Sequence, residues 1–195
     1  MAGKLTFEPQ GHVYRLDGRV LPSVTQVLQL LEDFEGVPPA VLEAARVFGT
    51  HVHDACALDV RGLLDWATLD VALVPYVEAF RRFLRDTGFK VLVSERRVVH
   101  PTMRYAGTLD LYGILRTRHA LIDIKSGMLP RTVGPQVAAY EKGLLLELPE
   151  RMQRYCLQLN PEFPCGYKLH ALTDAADWQV FVSALNCWHF RSKAA

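Results

Sequence analysis

Residues 107–125 run Gly107-Thr108-Leu109-Asp110-Leu111-Tyr112-Gly113-Ile114-Leu115-Arg116-Thr117-Arg118-His119-Ala120-Leu121-Ile122-Asp123-Ile124-Lys125. Two apolar runs around a short polar stretch predict neighbouring antiparallel strands over 107–115 and 120–125. Side chains alternate along a strand, so Asp123 and Lys125 share one face while Ile122 and Ile124 share the other. An acid and a base on a central strand are costly to bury unless they pair or perform chemistry. The plain alternative is a structural ion pair, or an edge strand whose charges face water. Asp110, thirteen residues before Asp123, weighs against that alternative. In hairpin neighbours, two carboxylates and an ammonium group can converge at one end of a sheet. Such a cluster suits Mg²⁺ or Mn²⁺, which take hard oxygen ligands, here Asp110, Asp123 and the Ile124 backbone carbonyl.

Working outward, residues 89–99 supply a third strand of a meander. Pro135 opens a helix to about Leu148 that Pro149 closes. Strands over 152–159 and 167–172 follow, then a helix capped by Asp174 and running through Phe190. Upstream, residues 12–16 and 19–21 flank Asp17-Gly18, a hairpin turn. Ser23 with Gln26 reads as a capping box. One helix runs from Pro38-Pro39 to about Leu58 with Leu42, Ala45, Phe48, Val52 and Cys56 on one stripe, and another from Val71 to Thr87, ending at Gly88. This order predicts an α/β fold: a central mixed sheet flanked by helices, with an N-terminal hairpin and helical segment. No repeat or linker divides it, so 1–195 reads as one domain, with hairpin and helices over 1–88 and the sheet and its flanking helices over 89–195.

Half of the 195 residues are apolar and 22% are charged, the composition of a chain with a packed core. No apolar run approaches the ~18 residues of a membrane span. The start has no signal-peptide core, which points to a cytoplasmic setting. Four cysteines without a C-x-x-C pair argue against a zinc site, an iron–sulfur cluster or a disulfide framework. A net charge of +1 excludes a uniformly basic surface, yet residues 96–131 hold seven Lys and Arg against two Asp. Local charge is what meets phosphates, so a confined basic groove is the expectation.

Three further motifs matter in their order. Gly49-Thr50-His51-Val52-His53 places its histidines about 200° apart on a helix, so only one can face a site. Such a histidine alone is more often half-buried against a carbonyl than a ligand. Gln136 and Tyr140 lie one turn apart and point the same way. Pro22-Ser23-Val24-Thr25-Gln26-Val27-Leu28 precedes both. Together with Asp110 and Asp123-Ile124-Lys125, this series resembles the PD-(D/E)XK nuclease superfamily. The similarity is to its RecB-like branch, which includes Cas4, the mitochondrial genome maintenance exonuclease and related phage exonucleases.

The resemblance implies a restriction-endonuclease-like core in which Asp110, Asp123, Lys125 and His53 are catalytic. It implies that His53, Asp110, Asp123 and the Ile124 carbonyl hold one or two Mg²⁺ or Mn²⁺ ions, and that Gln136 and Tyr140 orient the lysine or touch DNA. The cysteines depart from the Cas4 spacing, so no iron–sulfur cluster is expected.

Further candidates carry plainer alternatives. Ser23 and Thr25 at a helix start can bind phosphate through backbone N–H groups, although capping accounts for Ser23. Arg104 is a candidate DNA contact from the basic stretch. Glu95 is either a further acid near the metals or, more simply, a surface carboxylate paired with Arg96 or Arg97. Tyr105, Tyr112 and Trp66 either stack bases or pack in the core. The activity implied is metal-dependent hydrolysis of DNA phosphodiester bonds at single-stranded ends or flaps, in recombination, repair or replication. DNA is the implied partner, with phage or host recombination proteins beside it, no membrane, and a bacterial or phage source. A structure-selective endonuclease and a non-catalytic nucleic-acid binding module on the same fold are the alternatives.

Overall fold

The computed structural model describes residues 3–148 and 151–192. The chain opens with a three-stranded antiparallel sheet of β1 (Leu5–Glu8), β2 (Val13–Leu16) and β3 (Arg19–Leu21). Asp17 at φ 49° and Gly18 at φ 78° form the left-handed pair that a two-residue hairpin turn requires. β1 is absent from the sequence reading, whose hairpin signal, Asp17-Gly18, marks only β2 and β3. The capping box forms as predicted. Gln26 N–H donates to Ser23 Oγ at 3.0 Å and Ser23 N–H to Gln26 Oε1 at 2.9 Å, opening α1 (Val24–Leu28).

Two helices follow, α2 (Pro39–Val60) and α3 (Val74–Thr87). The predicted stripe on α2 is buried only in its second half. Val52 and Cys56 are fully covered, whereas Leu42 and Phe48 are half-buried and Ala45 is exposed. The first half projects from the core. α3 begins three residues later than Val71, because the Asp70 carboxylate accepts the Ala72 N–H and holds that segment in a turn. Gly88 at φ 64° ends it.

The central sheet is mixed, in the order β4 (Lys90–His100), β5 (Tyr105–Leu115), β6 (Arg118–Lys125), β7 (Gln153–Leu159) and β8 (Tyr167–Ala171). β4, β5 and β6 form the expected meander. α4 (Val133–Leu144) then crosses over, which makes β7 parallel to β6, and β8 returns antiparallel. α4 starts two residues before Pro135, since a first-turn N–H has no helical partner to lose. It ends at Leu144 rather than Leu148, and Pro149 lies outside the described residues. The last helix, α5 (Asp177–Ser192), begins after Asp174. The Asp174 carboxylate instead accepts the Ala176 N–H in a turn.

Helices cover both faces of the sheet. α1, α4 and α5 pack on one, with Val27, Leu121, Val137, Tyr140 and Phe181 in its core. α2 and α3 pack on the other against Leu111, Ile122, Ile124 and Leu157. Ile122 and Ile124 are each 2% exposed, a burial that contributes about 1.5–3 kcal/mol apiece. Tyr14, Leu21 and Ala106 join the N-terminal sheet to β5. Among the described residues no helix is long and apolar enough to cross a membrane.

Candidate active site

The β5–β6 ladder runs from Leu115↔Arg118 to Leu111↔Ile122 and stops there. Asp110 and Asp123 occupy the next opposed positions, where the strands part. In place of a ladder partner, the Ile124 N–H donates to Asp110 Oδ2 at 2.6 Å. The N–H and C=O of one strand residue point the same way, so the Ile124 carbonyl faces the same gap.

α2 closes this gap from one side. His53 Nδ1 lies 3.3 Å from Asp110 Oδ1, while His51 points to solvent. Burial opposes charge on both partners, but each supports the other's. Burial pushes Asp110 up; the His53 charge, its hydrogen bond, Lys125 and the Ile124 N–H outweigh it and hold the carboxyl below its ordinary value. Burial lowers His53, yet Asp110 and Asp123 bring it up to about 9.

α4 closes the other side. Lys125 Nζ lies 2.7 Å from Asp123 Oδ2. Burial drives Asp123 upward against the pull of Lys125, and burial of Lys125 is outweighed by the two carboxylates, which keep it charged. Gln136 spans the pair. Its Nε2 donates to Asp123 Oδ1 at 2.9 Å and to the Tyr140 hydroxyl at 3.1 Å, and its Oε1 accepts from Lys125 at 3.2 Å. Gln136 and Tyr140 are 8% and 4% exposed, a placement that suits orienting the strand residues rather than meeting a ligand.

Glu95 departs from the surface reading. Arg96 pairs with Glu147, and Arg97 lies over the Phe7 ring. Glu95 stands opposite Asp110, between the Ser94↔Leu111 and Arg96↔Leu109 pairs, at φ 53°. That left-handed conformation is uncommon for glutamate and recurs at functional sites. Burial and the Asp110 carboxylate raise its pKa to about 7, against His53. Ligand atoms of His53, Glu95 and Asp110 lie within 4.8 Å of one another. Of the two sequence alternatives for Glu95, its register opposite Asp110 places it beside the candidate ligands rather than in a surface pair.

The donor set fits a hard divalent ion: carboxylate oxygens, a backbone carbonyl and one imidazole. Asp123 Oδ2 is buried and already faces the Lys125 ammonium at 2.7 Å, so within this set it is the His53, Glu95 and Asp110 atoms that lie closest together.

The remaining candidates lie apart from this cluster. Ser23 is buried in its capping box and Thr25 is exposed beside it. Arg104 sits at φ 58° in the β4–β5 turn, six residues along β5 from Asp110, or about 20 Å at strand rise. Tyr105 is fully buried and donates to the Ala139 carbonyl, and Tyr112 packs in the core against His119. Arg81 covers the Trp66 ring at 4.4 Å. Tyr105 and Tyr112 present no open face to a base, and Trp66 is half-buried with Arg81 over one of its faces.

No protein-family model matches this chain, and no curated protein does. Solved structures similar to it include LHK-Exo in complex with dAMP, at 14% identity and a TM-score of 0.46 over 89% of this chain and 88% of that one. The structure of an alkaline exonuclease (LHK-Exo) from Laribacter hongkongensis is similar at 15% identity and a TM-score of 0.40, over 88% and 92% of the two chains.

Proposed function

We propose that this chain is a divalent-metal-dependent deoxyribonuclease of the PD-(D/E)XK type, in its RecB-like branch, that hydrolyses phosphodiester bonds at single-stranded DNA ends or flaps. The observation that carries this reading is the opposition of Asp110 and Asp123 at the parting of β5 and β6, with Lys125 on the same face as Asp123. His53, Glu95 and Asp110, with Asp123 and the Ile124 carbonyl beside them, would hold Mg²⁺ or Mn²⁺. When bound, such an ion supplies Lewis-acid stabilisation of charge at phosphorus and a more acidic water.

The chain's own groups do the rest. Lys125 stays protonated between the carboxylates and offers its ammonium to the negative charge that develops on a phosphate oxygen. Asp123 and Gln136 hold that ammonium in place. Gln136 in turn is fixed by Tyr140, so the lysine needs little reorganisation as the reaction proceeds. The hydrophobic floor of Ile122 and Ile124 excludes water beneath the site and strengthens these interactions.

The test is cleavage of end-labelled linear DNA and of covalently closed circles with Mg²⁺, Mn²⁺ or EDTA, repeated for Asp123→Asn and Lys125→Ala. Metal-dependent loss of the linear substrate alone is expected, abolished in both variants. Cutting of the circle would replace the exonuclease by an endonuclease. Full activity in both variants would overturn the site.

A further inference from the structure

The N-terminal sheet carries a cluster that the catalytic reading leaves unused. Phe7, His12 and Tyr14 form a three-ring group with centroids 4.7 to 5.2 Å apart. Tyr14 is fully buried, Phe7 is half-buried and His12 is exposed. His12 stands at φ 52° after Gly11 at the entry to β2, its ring near-perpendicular to those of Phe7 and Tyr14. Arg97 lies with its guanidinium 5.0 Å from the Phe7 ring centroid, exposed at its outer side.

This cluster is continuous with the catalytic gap. The Tyr14 hydroxyl lies 2.8 Å from Thr108 Oγ1 and 3.4 Å from His12 Nε2, and Thr108 precedes Asp110 by two residues on β5. α2 gives a second connection. Arg46 is two turns before His53 and on the same face, about 10 Å away at helical rise. Its charge acts on His12. Among the described residues the Arg46 side chain pairs with Glu43 through two hydrogen bonds at the exposed surface, a solvent-screened pair for which a phosphate can compete.

Aromatic faces interleaved with arginines, leading away from a phosphodiester site, have the chemistry of a single-strand track. We propose that the His12 ring, backed by Phe7 and Tyr14, stacks a base of a single DNA strand within a few nucleotides of the phosphate at Asp110 and Asp123, with Arg97 and Arg46 meeting the flanking phosphates. Burial and Arg46 lower the His12 pKa, so the ring is neutral near pH 7 and presents a π face. This subsite rests on the nuclease reading for its position but not for its detection.

Two readouts separate them. The first is quenching of 2-aminopurine in a single-stranded oligonucleotide bound in EDTA, for the wild type, His12→Ala and Arg97→Gln. The second is cleavage of oligonucleotides against thymidine 5′-(4-nitrophenyl phosphate), which carries no flanking nucleotide to stack. His12→Ala is expected to lose the quench and to raise the oligonucleotide KM by about tenfold or more, with kcat and small-substrate cleavage unchanged. Arg97→Gln is expected to raise KM and flatten its salt dependence. Wild-type quench and KM in both variants would overturn the subsite. So would loss of small-substrate cleavage in His12→Ala, which would place its effect in the catalytic gap. If the wild type cleaves neither substrate, the nuclease reading fails, and the quench alone decides the subsite.

Discussion

Gln136 donates to Asp123 Oδ1 at 2.9 Å while the same side chain accepts from Lys125 at 3.2 Å, so one amide on α4 holds both charged residues of β6. Its own orientation is set by Tyr140 one turn later. The acid and the base therefore depend on a helix that reaches them only through the crossover between β6 and β7.

From this follows the expectation for Gln136→Ala. Supporting groups of this kind typically change activity or metal affinity by about 10–100-fold. Turnover should fall within that range while the circular dichroism spectrum is preserved. Turnover equal to the wild type would show that the amide only fills space.

Glu95→Gln tests whether the inward carboxylate serves the cation. Mn²⁺ affinity, measured by calorimetry, should fall by about tenfold or more, since even outer groups of metal sites have effects of that size. Glu78→Gln on the exposed side of α3 is the control and should bind normally. Unchanged affinity in Glu95→Gln would remove Glu95 from the ligand set.

The ion-free protein should lose stability as pH rises, through His53 and Glu95. His53 titrates at about 9 when folded against an ordinary 6.5, and Glu95 at about 7 against 4.5. Both bind their protons more tightly in the folded state. Their stabilisation is complete below the ordinary values and is lost as pH climbs through 7 for Glu95 and 9 for His53. Asp110 has the opposite sign, but its window lies in acid, below the ordinary carboxylate value. Urea midpoints in EDTA at pH 6, 7.5 and 9 are the measurement, with His53→Gln as reference so that other histidines cancel. The wild-type advantage should shrink between pH 6 and 9; an advantage that grows would contradict the assigned pairing. Divalent ions compete with these same protons, so Mn²⁺ affinity should rise over that interval.

Two glycines should respond in opposite directions to alanine. A Cβ at Gly107 would meet Tyr140 Cε1 at 2.6 Å and Val24 Cγ2 at 3.3 Å. Gly107→Ala should therefore destabilise the protein by about 1–3 kcal/mol and disturb Gln136 through Tyr140. At Gly49, a Cβ meets only Ser126 Oγ, at an ordinary 3.6 Å. Gly49→Ala should hold or raise the melting temperature, because helix propensity improves by up to ~1 kcal/mol. A lowered melting temperature in Gly49→Ala would mean that α2 sits closer to the 126–128 loop than this spacing allows.

What the sequence by itself determined was local. Alternation put Asp123 and Lys125 on one face and Ile122 and Ile124 on the other, and the structure buries the isoleucines against α2 and α3 accordingly. Asp17-Gly18 and the Ser23–Gln26 capping box were equally legible, since each is satisfied by residues a few positions apart. The spacing of Gln136 and Tyr140 also sufficed to align them on α4.

The tertiary structure decided the rest. Whether Asp110 meets Asp123 depends on where the β5–β6 ladder ends, and that is set by packing on both faces. His53 reaches Asp110 because only the second half of α2 lies on the sheet, a division the continuous apolar stripe conceals. Glu95 turns inward through a positive φ opposite Asp110, although its sequence neighbours are arginines that would pair with it on an open surface. Periodicity encodes which way a side chain points along its own element. It carries no record of which distant element will stand opposite, because that choice is made by burial across the whole sheet.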